Sequence, residues 1–357
     1  MAEHHVIGWA AHDESGILTP FKFTRRATGP NDVVFKVTHC GICHTDLHQI
    51  HNGWKTAKYP MVPGHEIVGI VTELGSNVKN FQVGDHVGVG FLVESCEACE
   101  CCKIGQEQYC EKSVWSYNGI DFQGNVTLGG FSSLMVADYR FVIHVPKNLP
   151  LREAAPLLCA GITIYSPMKY YQMTEKGKHL GIVGLGGLGH MAVKFGKAFG
   201  LETTIISTSP NKQKEAIEVL GADHFLISKD PQQMQEARKS LDFIIDTVSA
   251  VHPLEPLLSL LKHDGKLVLV GLPEKPLQLN ASALIFGGRH TIGASLIGGI
   301  SETQEMVNFC AEHNVTCMVE IVKMSYVNTA MERLRKSDVR YRFVIDVENS
   351  FESEETE

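Results

Sequence analysis

His179-Leu180-Gly181-Ile182-Val183-Gly184-Leu185-Gly186-Gly187-Leu188-Gly189 joins a short apolar run to a glycine-rich turn that opens onto a helical pattern over residues 188–199. An apolar run without polar alternation suits a strand buried on both faces. A Gly-x-Gly-x-x-Gly directly after such a strand is the context that separates a dinucleotide-binding turn from a chance cluster. In that reading Gly184 permits the tight turn, Gly186 lets the backbone approach a pyrophosphate, and Gly189 lets helix and strand pack closely. The helix amino terminus attracts the negative charge. Leu185, Gly187 and Leu188 complete the loop, and a purely structural glycine turn is the alternative.

Working outward, strand and helix patterns alternate: strand 179–183, helix 188–199, strand 203–207, helix 211–220 with Gly221 as its left-handed stop, and strand 224–227. Residues 241–247, 266–271 and 291–297 supply three more apolar stretches read as buried strands. Six strands in strict alternation predict an α/β fold with a doubly wound parallel sheet. From Val6 to about Val145 the texture differs, with short apolar stretches (33–37, 67–71, 86–89) set between Gly, Asn and Asp turn signals, which reads as many short strands. After Gly298 only helical stretches 302–313 and 327–336 and a strand 341–347 remain. That is too little for an independent core, so this segment is expected to rejoin the first domain. The expected division is 1–159 with 298–357 as one domain, carrying a cysteine lobe at 94–112, and 160–297 as the dinucleotide-binding domain. The acidic tail 348–357 is expected to fray.

The chain has 357 residues, enough for two domains, and 44% hydrophobic against 20% charged residues fits a globular protein. Its 32 Lys+Arg against 40 Asp+Glu give a formal charge of −8, and no local basic stripe offsets it, so nucleic acid is not an expected partner. Apolar runs fall short of a membrane span, with Arg289 interrupting residues 281–300. The start Met1-Ala2-Glu3-His4-His5 and the end Glu354-Glu355-Thr356-Glu357 carry no address signal, so a cytoplasmic location is expected. Ten cysteines then read as metal ligands or buried thiols rather than a disulfide framework.

Selectivity between dinucleotides turns on the end of the second strand. An NAD site usually has Asp or Glu about 20 residues past the glycines to accept from the ribose 2′-hydroxyl. Here the strand ends in Ser207-Thr208-Ser209, with Lys212 close behind. Hydroxyls can donate to a 2′-phosphate and an ammonium can pair with it, so NADP(H) is the expected cofactor. The alternative is that Ser209 merely caps the next helix and Lys212 is solvated.

Cys96-x2-Cys99-x2-Cys102-x7-Cys110 places four thiolates on one loop, the spacing of a closed tetrahedral zinc that leaves no position for substrate. Cys101 breaks the spacing and is read as a bystander. A second, dispersed set comprises Cys43, His65-Glu66 and Cys159. Taken singly, each has a plain reading: a core thiol, a satisfied core histidine, a surface ion pair.

These stretches together resemble the zinc-dependent medium-chain alcohol dehydrogenases over essentially the whole chain, and within them the plant cinnamyl alcohol dehydrogenase branch. The resemblance is carried by Cys43-His44-Thr45-Asp46-Leu47-His48, Pro63-Gly64-His65-Glu66, the four-cysteine lobe, Trp115-Ser116-Tyr117-Asn118, Leu158-Cys159-Ala160-Gly161, the glycine loop and Asp338-Val339-Arg340-Tyr341-Arg342-Phe343. It implies a β-rich GroES-like catalytic domain beside a Rossmann domain, and two zinc ions per chain. Cys43, His65 and Cys159 would be ligands of a catalytic zinc, with Glu66 as the fourth when substrate is absent. It further implies that Asp46 accepts from the free ring nitrogen of His65. Thr45 would hydrogen-bond the reacting oxygen and pass its proton through the nucleotide ribose toward His48. Helix capping by Thr45 or Asp46 and a solvated His48 are the alternatives.

The implied reaction is hydride transfer between a small primary alcohol or its aldehyde and the nicotinamide. Trp115 matches the position lining a phenylpropanoid pocket, although a core tryptophan is the alternative. The lignin-forming members carry an aromatic residue where this sequence has Leu296, a departure that points to a wider or less selective pocket. The expected substrates are therefore cinnamyl-type aldehydes. A terpenoid or polyol alcohol dehydrogenase, an iminium reductase and a non-catalytic zinc-binding interaction protein stand as alternatives. A homodimer joined edge to edge through strand 291–297 is also implied.

Overall fold

The computed structural model describes residues 2–273 and 275–351. The chain forms two compact units, Met1–Cys159 with Gly298–Glu357, and Ala160–Ile297. The strands in chain order are β1 His4–Ala11, β2 Leu18–Arg25, β3 Asp32–Ile42, β4 Ile67–Leu74, β5 His86–Val89, β6 Leu92–Glu94, β7 Val114–Trp115, β8 Leu134–Asp138 and β9 Ile143–His144. They continue with β10 His179–Val183, β11 Glu202–Ser207, β12 His224–Ile227, β13 Leu241–Asp246, β14 Leu261–Leu269, β15 Thr291–Ala294, β16 Val319–Lys323 and β17 Arg342–Asp346.

In the discontinuous unit the main sheet runs β16-β17-β3-β4-β5-β9, with β8 also on β3. β3 organises it. One edge of this 11-residue strand pairs with β4; the other is shared by β8 over residues 32–36 and by β17 over 39–42. The last strand is thereby tied to the first third of the chain. Val33, Phe35, Val37, Ile67, Val87, Phe131, Phe343 and Ile345 are fully buried and form the core of this unit. β1 and β2 alternate between more and less buried residues, as half-buried strands do when only one face meets a core.

The contiguous unit holds six parallel strands in the order β12-β11-β10-β13-β14-β15. Leu180, Ile182, Ile205, Ile206, Ile244, Ile245, Leu267 and Val268 are buried, which is why the sequence shows continuous apolar runs here rather than alternation. The order reverses between β10 and β13. The crevice at the carboxyl ends of the strands at such a switch point is where doubly wound sheets bind ligands.

Two expectations need correction. The stretch 291–297 is not a buried strand: only Thr291–Ala294 pair, β15 lies at the sheet edge, and its residues are half-buried or exposed. Its apolarity reflects an uncovered edge, not a core. Residues 211–220 do not make one regular helix; a tight 3-10 turn, Pro210–Lys212, leads into a wider π turn, Glu215–Val219. Gly221 does stop it in the left-handed region, at φ +75. At the C-terminus Glu348–Ser350 form a short turn with Lys36 Nζ 3.0 Å from Glu348 Oε1, and residues 352–357 of the acidic tail lie outside the described residues.

Candidate active site and metal centres

Three distant stretches deliver Cys43, His65, Glu66 and Cys159 to one place in the discontinuous unit, with their donor atoms within 4.8 Å of one another. Cys43 caps the helix His44–Ile50 directly after β3, His65-Glu66 precede β4, and Cys159 follows the 3-10 turn Ala155–Leu158. All four are buried. Cys43 Sγ lies 3.9 Å from Cys159 Sγ, and His65 Nε2 lies 3.3 Å from Cys159 Sγ. Around a tetrahedral zinc with Zn–S of ~2.3 Å and Zn–N of ~2.0 Å, such pairs sit ~3.8 Å and ~3.5 Å apart, so the donor spacing suits that ion. Glu66 reaches in because residue 41 is glycine: a Cβ there would stand 1.8 Å from Glu66 Oε2.

The electrostatics also call for a cation. Cys159 donates its thiol hydrogen toward Cys43 and so holds the Cys43 thiol well below its usual pKa, against the effect of burial. Burial raises Glu66 to about 8; the guanidinium of Arg342, paired with it, opposes this, while the sulfur of Cys43 adds to it. Glu66 Oε2 has no hydrogen-bond partner. A dry pocket of potential anions with an unsatisfied carboxylate oxygen is stabilised by a divalent ion.

Asp46 underpins the arrangement. Its carboxylate is fully buried and accepts from Cys43 N–H at 2.8 Å, Gly64 N–H at 3.0 Å and His65 Nδ1 at 3.3 Å. The two readings offered by the sequence, cap and histidine partner, therefore coexist. With its Nδ1 engaged, His65 presents Nε2 to the sulfurs. Burial opposes charge on His65, but Asp46 and Cys43 outweigh it and raise its pKa well above the usual value. Thr45 Oγ1 lies 3.6 Å from Cys43 Sγ. His48 is half-buried on the same helix, stacked on Trp54 with ring centroids 5.3 Å apart.

Cys96, Cys99, Cys102 and Cys110 also converge, around the helix Glu100–Lys103 and the 3-10 turn Glu107–Tyr109. Cys99 Sγ is 3.5 Å and Cys96 Sγ 4.0 Å from Cys102 Sγ, again close to tetrahedral spacing. Backbone N–H groups of Ala98 and Cys99 lower Cys96 to about 6, whereas burial raises Cys102 to about 12. Four thiolates coexist here only with a cation among them. Cys101 stays outside the cluster.

Trp115 is not a core residue: at 37% exposure it lies at the surface, packed on Phe91 at 4.9 Å. Phe91 in turn meets His65 edge-on at 5.2 Å, and Tyr117 stacks on His65 at 5.9 Å, so an aromatic wall runs from Trp115 to the imidazole. Sequence reasoning missed two members of this site, Arg342 and Phe91. Arg342 sat in a quoted motif, yet its pairing with a residue 276 positions away leaves no periodic trace. Phe91 looked like one more apolar residue.

In the contiguous unit the glycine loop sits at the switch point, after β10. Gly184 has φ +89. A Cβ on Gly189 would stand 2.2 Å from Gly184 O, whereas one on Gly186 would meet nothing within 4 Å. The fold itself therefore needs Gly189. Gly186 has an extended backbone that any residue adopts, and the fold does not require its small size. Ser207 Oγ accepts from Ser209 N–H at 3.2 Å, Thr208 is exposed, and Ser209 makes no side-chain cap. Lys212 Nζ donates to Leu185 O at 2.9 Å, which brings its ammonium onto the glycine loop. Leu296, past β15, is half exposed.

With this geometry in hand, residues 29–147 match the alcohol dehydrogenase GroES-like domain, and residues 187–312 match the zinc-binding dehydrogenase domain. The chain belongs to the zinc-binding alcohol dehydrogenases. A probable mannitol dehydrogenase of Medicago sativa is 61% identical over 346 residues, covering 97% of this chain and 96% of that one. An 8-hydroxygeraniol dehydrogenase of Catharanthus roseus is 61% identical over 353 residues, covering 98% of each. Among solved structures, a cinnamyl alcohol dehydrogenase of Sorghum bicolor has 55% identity and a TM-score of 0.95 over 97% of this chain and 99% of that one. The Helicobacter pylori cinnamyl alcohol dehydrogenase complexed with NADP(H) has 41% identity and a TM-score of 0.92 over 98% and 100%. The protein is thus an α/β oxidoreductase with a GroES-like and a Rossmann-type domain, close to the plant branch its motifs indicated. Among the described residues no helix is long and apolar enough to cross a membrane.

Proposed function

We propose that this alcohol dehydrogenase uses NADP(H) to interconvert cinnamyl-type aldehydes and primary alcohols, with a catalytic zinc on Cys43, His65, Cys159 and Glu66 and a structural zinc on Cys96, Cys99, Cys102 and Cys110. The observation that carries the reading is the convergence, from three distant stretches, of two sulfurs and an imidazole at near-tetrahedral spacing with an unsatisfied carboxylate oxygen within 4.8 Å of them. Two Cys and one His with an open position is the known arrangement of catalytic zinc in alcohol dehydrogenases. When bound, zinc supplies Lewis acidity at the substrate oxygen, and the reduced nicotinamide supplies the hydride.

The chain's own residues do the rest. Asp46 fixes the His65 tautomer. Arg342 pairs with one oxygen of Glu66 and gives its carboxylate a partner when it leaves the donor set, which would open a position for substrate. Thr45 hydrogen-bonds the substrate oxygen, and His48, three residues further along the same helix face, exchanges its proton with solvent. Phe91 and Trp115 offer a flat apolar wall that suits a conjugated ring. For the cofactor, the absence of a carboxylate at Ser207-Thr208-Ser209 and the nearby ammonium of Lys212 favour a 2′-phosphate.

A second reading, an acyclic terpenoid primary alcohol, is favoured by Leu296, which is aliphatic and half exposed, and by the 61% identity to an 8-hydroxygeraniol dehydrogenase. A cytoplasmic homodimer joined through the open edge of β15 belongs to the same proposal, and sedimentation of the purified enzyme tests the dimer. Steady-state kcat/KM for coniferaldehyde, an acyclic terpenoid aldehyde and mannitol, each with both nicotinamides, decides the substrate. Preference for coniferaldehyde with NADPH is expected, and preference for mannitol with NAD overturns both assignments. Cys159→Ala should abolish turnover while leaving the fold intact; retained turnover refutes the catalytic centre.

A further inference from the structure

A third set of donors lies at the opposite end of the parallel sheet from the glycine loop. His179, Glu202 and His224 open β10, β11 and β12, and one ligand atom from each lies within 4.8 Å of the others. The register explains the meeting. His179 pairs with Glu202, and His224 pairs with Thr204, two residues along β11. Because side chains alternate along a strand, Glu202 and Thr204 share a face, and their partners on the flanking strands share it too.

The contacts within the group are ordered as a metal site requires. His179 Nε2 is 2.6 Å from Thr204 Oγ1, so with Nε2–H donating to the hydroxyl, Nδ1 turns its lone pair toward the carboxylate, 3.8 Å from Glu202 Oε2. His224 Nε2 is 2.6 Å from Glu202 Oε1, and the two imidazole rings lie 5.6 Å apart. A ligand histidine whose other nitrogen is tied to a hydroxyl or carbonyl is the usual arrangement around bound transition metals. Around a tetrahedral ion with bonds of ~2.0–2.1 Å the donors sit ~3.3 Å apart. Small rotamer changes of half-exposed side chains reach that spacing from the distances seen.

Neighbouring charges leave the site accessible to a cation. Lys262 Nζ is engaged by Asp242 at 2.8 Å, with Lys178 at the same carboxylate, and Lys197 Nζ by Asp223 at 2.7 Å, so the nearby ammonium groups are already paired.

We propose that His179, Glu202 and His224 form a surface site for a divalent first-row transition metal, filled by two imidazoles, one carboxylate and water, which clips the amino ends of β10, β11 and β12 together. Two nitrogens and one oxygen select Zn2+, Ni2+ or Cu2+ over Mg2+ and Ca2+. The site is independent of the catalytic reading, because none of its residues belongs to the catalytic centre, the cysteine lobe or the glycine loop.

The test is calorimetric titration of the zinc-loaded, tag-free enzyme with Zn2+, alongside its melting temperature with and without the added ion. One additional ion per chain, bound at micromolar concentration and raising the melting temperature, is expected. His224→Gln, at an exposed position, should weaken that binding by about tenfold or more and remove the melting shift while leaving aldehyde reduction unchanged. Glu202→Gln should do the same. No additional ion at millimolar Zn2+, or binding that both variants retain, overturns the proposal and leaves the group as a histidine–glutamate ion pair.

Discussion

Replacing Asp46 by Asn removes a charge and one acceptor without changing shape. Of the three N–H groups that Asp46 holds, Gly64 and His65 share Oδ1 and Cys43 uses Oδ2. If the amide keeps its oxygen toward Gly64 and His65, its nitrogen faces the Cys43 N–H; turned the other way, it faces two donors. At least one hydrogen bond to a buried carboxylate is therefore lost, a cost of about 1.5–3 kcal/mol. Loss of an orienting partner behind a metal-ligating histidine costs about 10–100-fold in metal affinity or activity, which corresponds to about 1.4–2.7 kcal/mol. The first figure is a loss of fold stability, read in the melting temperature, and the second a loss at the metal site, greatest when the amide turns its nitrogen toward His65. Asp46→Asn should lower kcat/KM for aldehyde reduction by about 10–100-fold and weaken zinc retention in parallel, measured by NADPH consumption and metal content on the same preparation. A variant that keeps its zinc and stays within about twofold of the parent rate would refute the reasoning, because the imidazole would then be oriented without the carboxylate.

The glycine loop offers an internal contrast. Gly186→Ala should fold normally and bind NADPH more weakly, whereas Gly189→Ala, with its Cβ against Gly184 O, should destabilise the unit itself; thermal melts beside cofactor titrations separate the two. Ser209→Asp should shift kcat/KM from NADPH toward NADH by about tenfold or more, a change of about 1.4 kcal/mol, through repulsion of the 2′-phosphate. An unchanged preference assigns that phosphate to another residue. In the nucleotide unit, burial tends to raise the carboxyls of Asp223 and Asp242, but ammonium and backbone donors outweigh it and hold both below 3.8. Their folded pKa values lie below the unfolded ones, so the stabilisation is present above about pH 4 and is lost as pH falls through the folded values. Asp223→Asn should flatten the acid limb of a circular dichroism titration.

The sequence was most readable where burial on both faces forces a pattern. β10 and the Ile-rich halves of β11 and β13 announced the parallel sheet because their apolar residues stand together without alternation. β15 misled for the same reason: an uncovered edge strand can be as apolar as a central one, and periodicity does not record its neighbours. The π turn at Glu215–Val219 was invisible because a single wider turn of five residues is too short to leave a periodicity of its own. Cys43, His65 and Cys159 carried little signal as isolated residues; only the motif context linked them, and the fold brings their donor atoms together. Arg342 and Phe91 depend on a strand pairing and a ring contact that join distant stretches, and neither leaves a local mark.

The pairing of β17 with β3 has a consequence for biosynthesis. A ribosome delivers the contiguous nucleotide unit whole before Arg342 has been polymerised, so that unit can fold during translation, while the sheet begun by β3 waits with one edge half filled. The counter-charge to Glu66 arrives only after the whole nucleotide unit has been made. A nascent chain stalled before β17 would hold Cys43, His65 and Cys159 without the guanidinium beside them, and the metal site is completed only once β17 has been made.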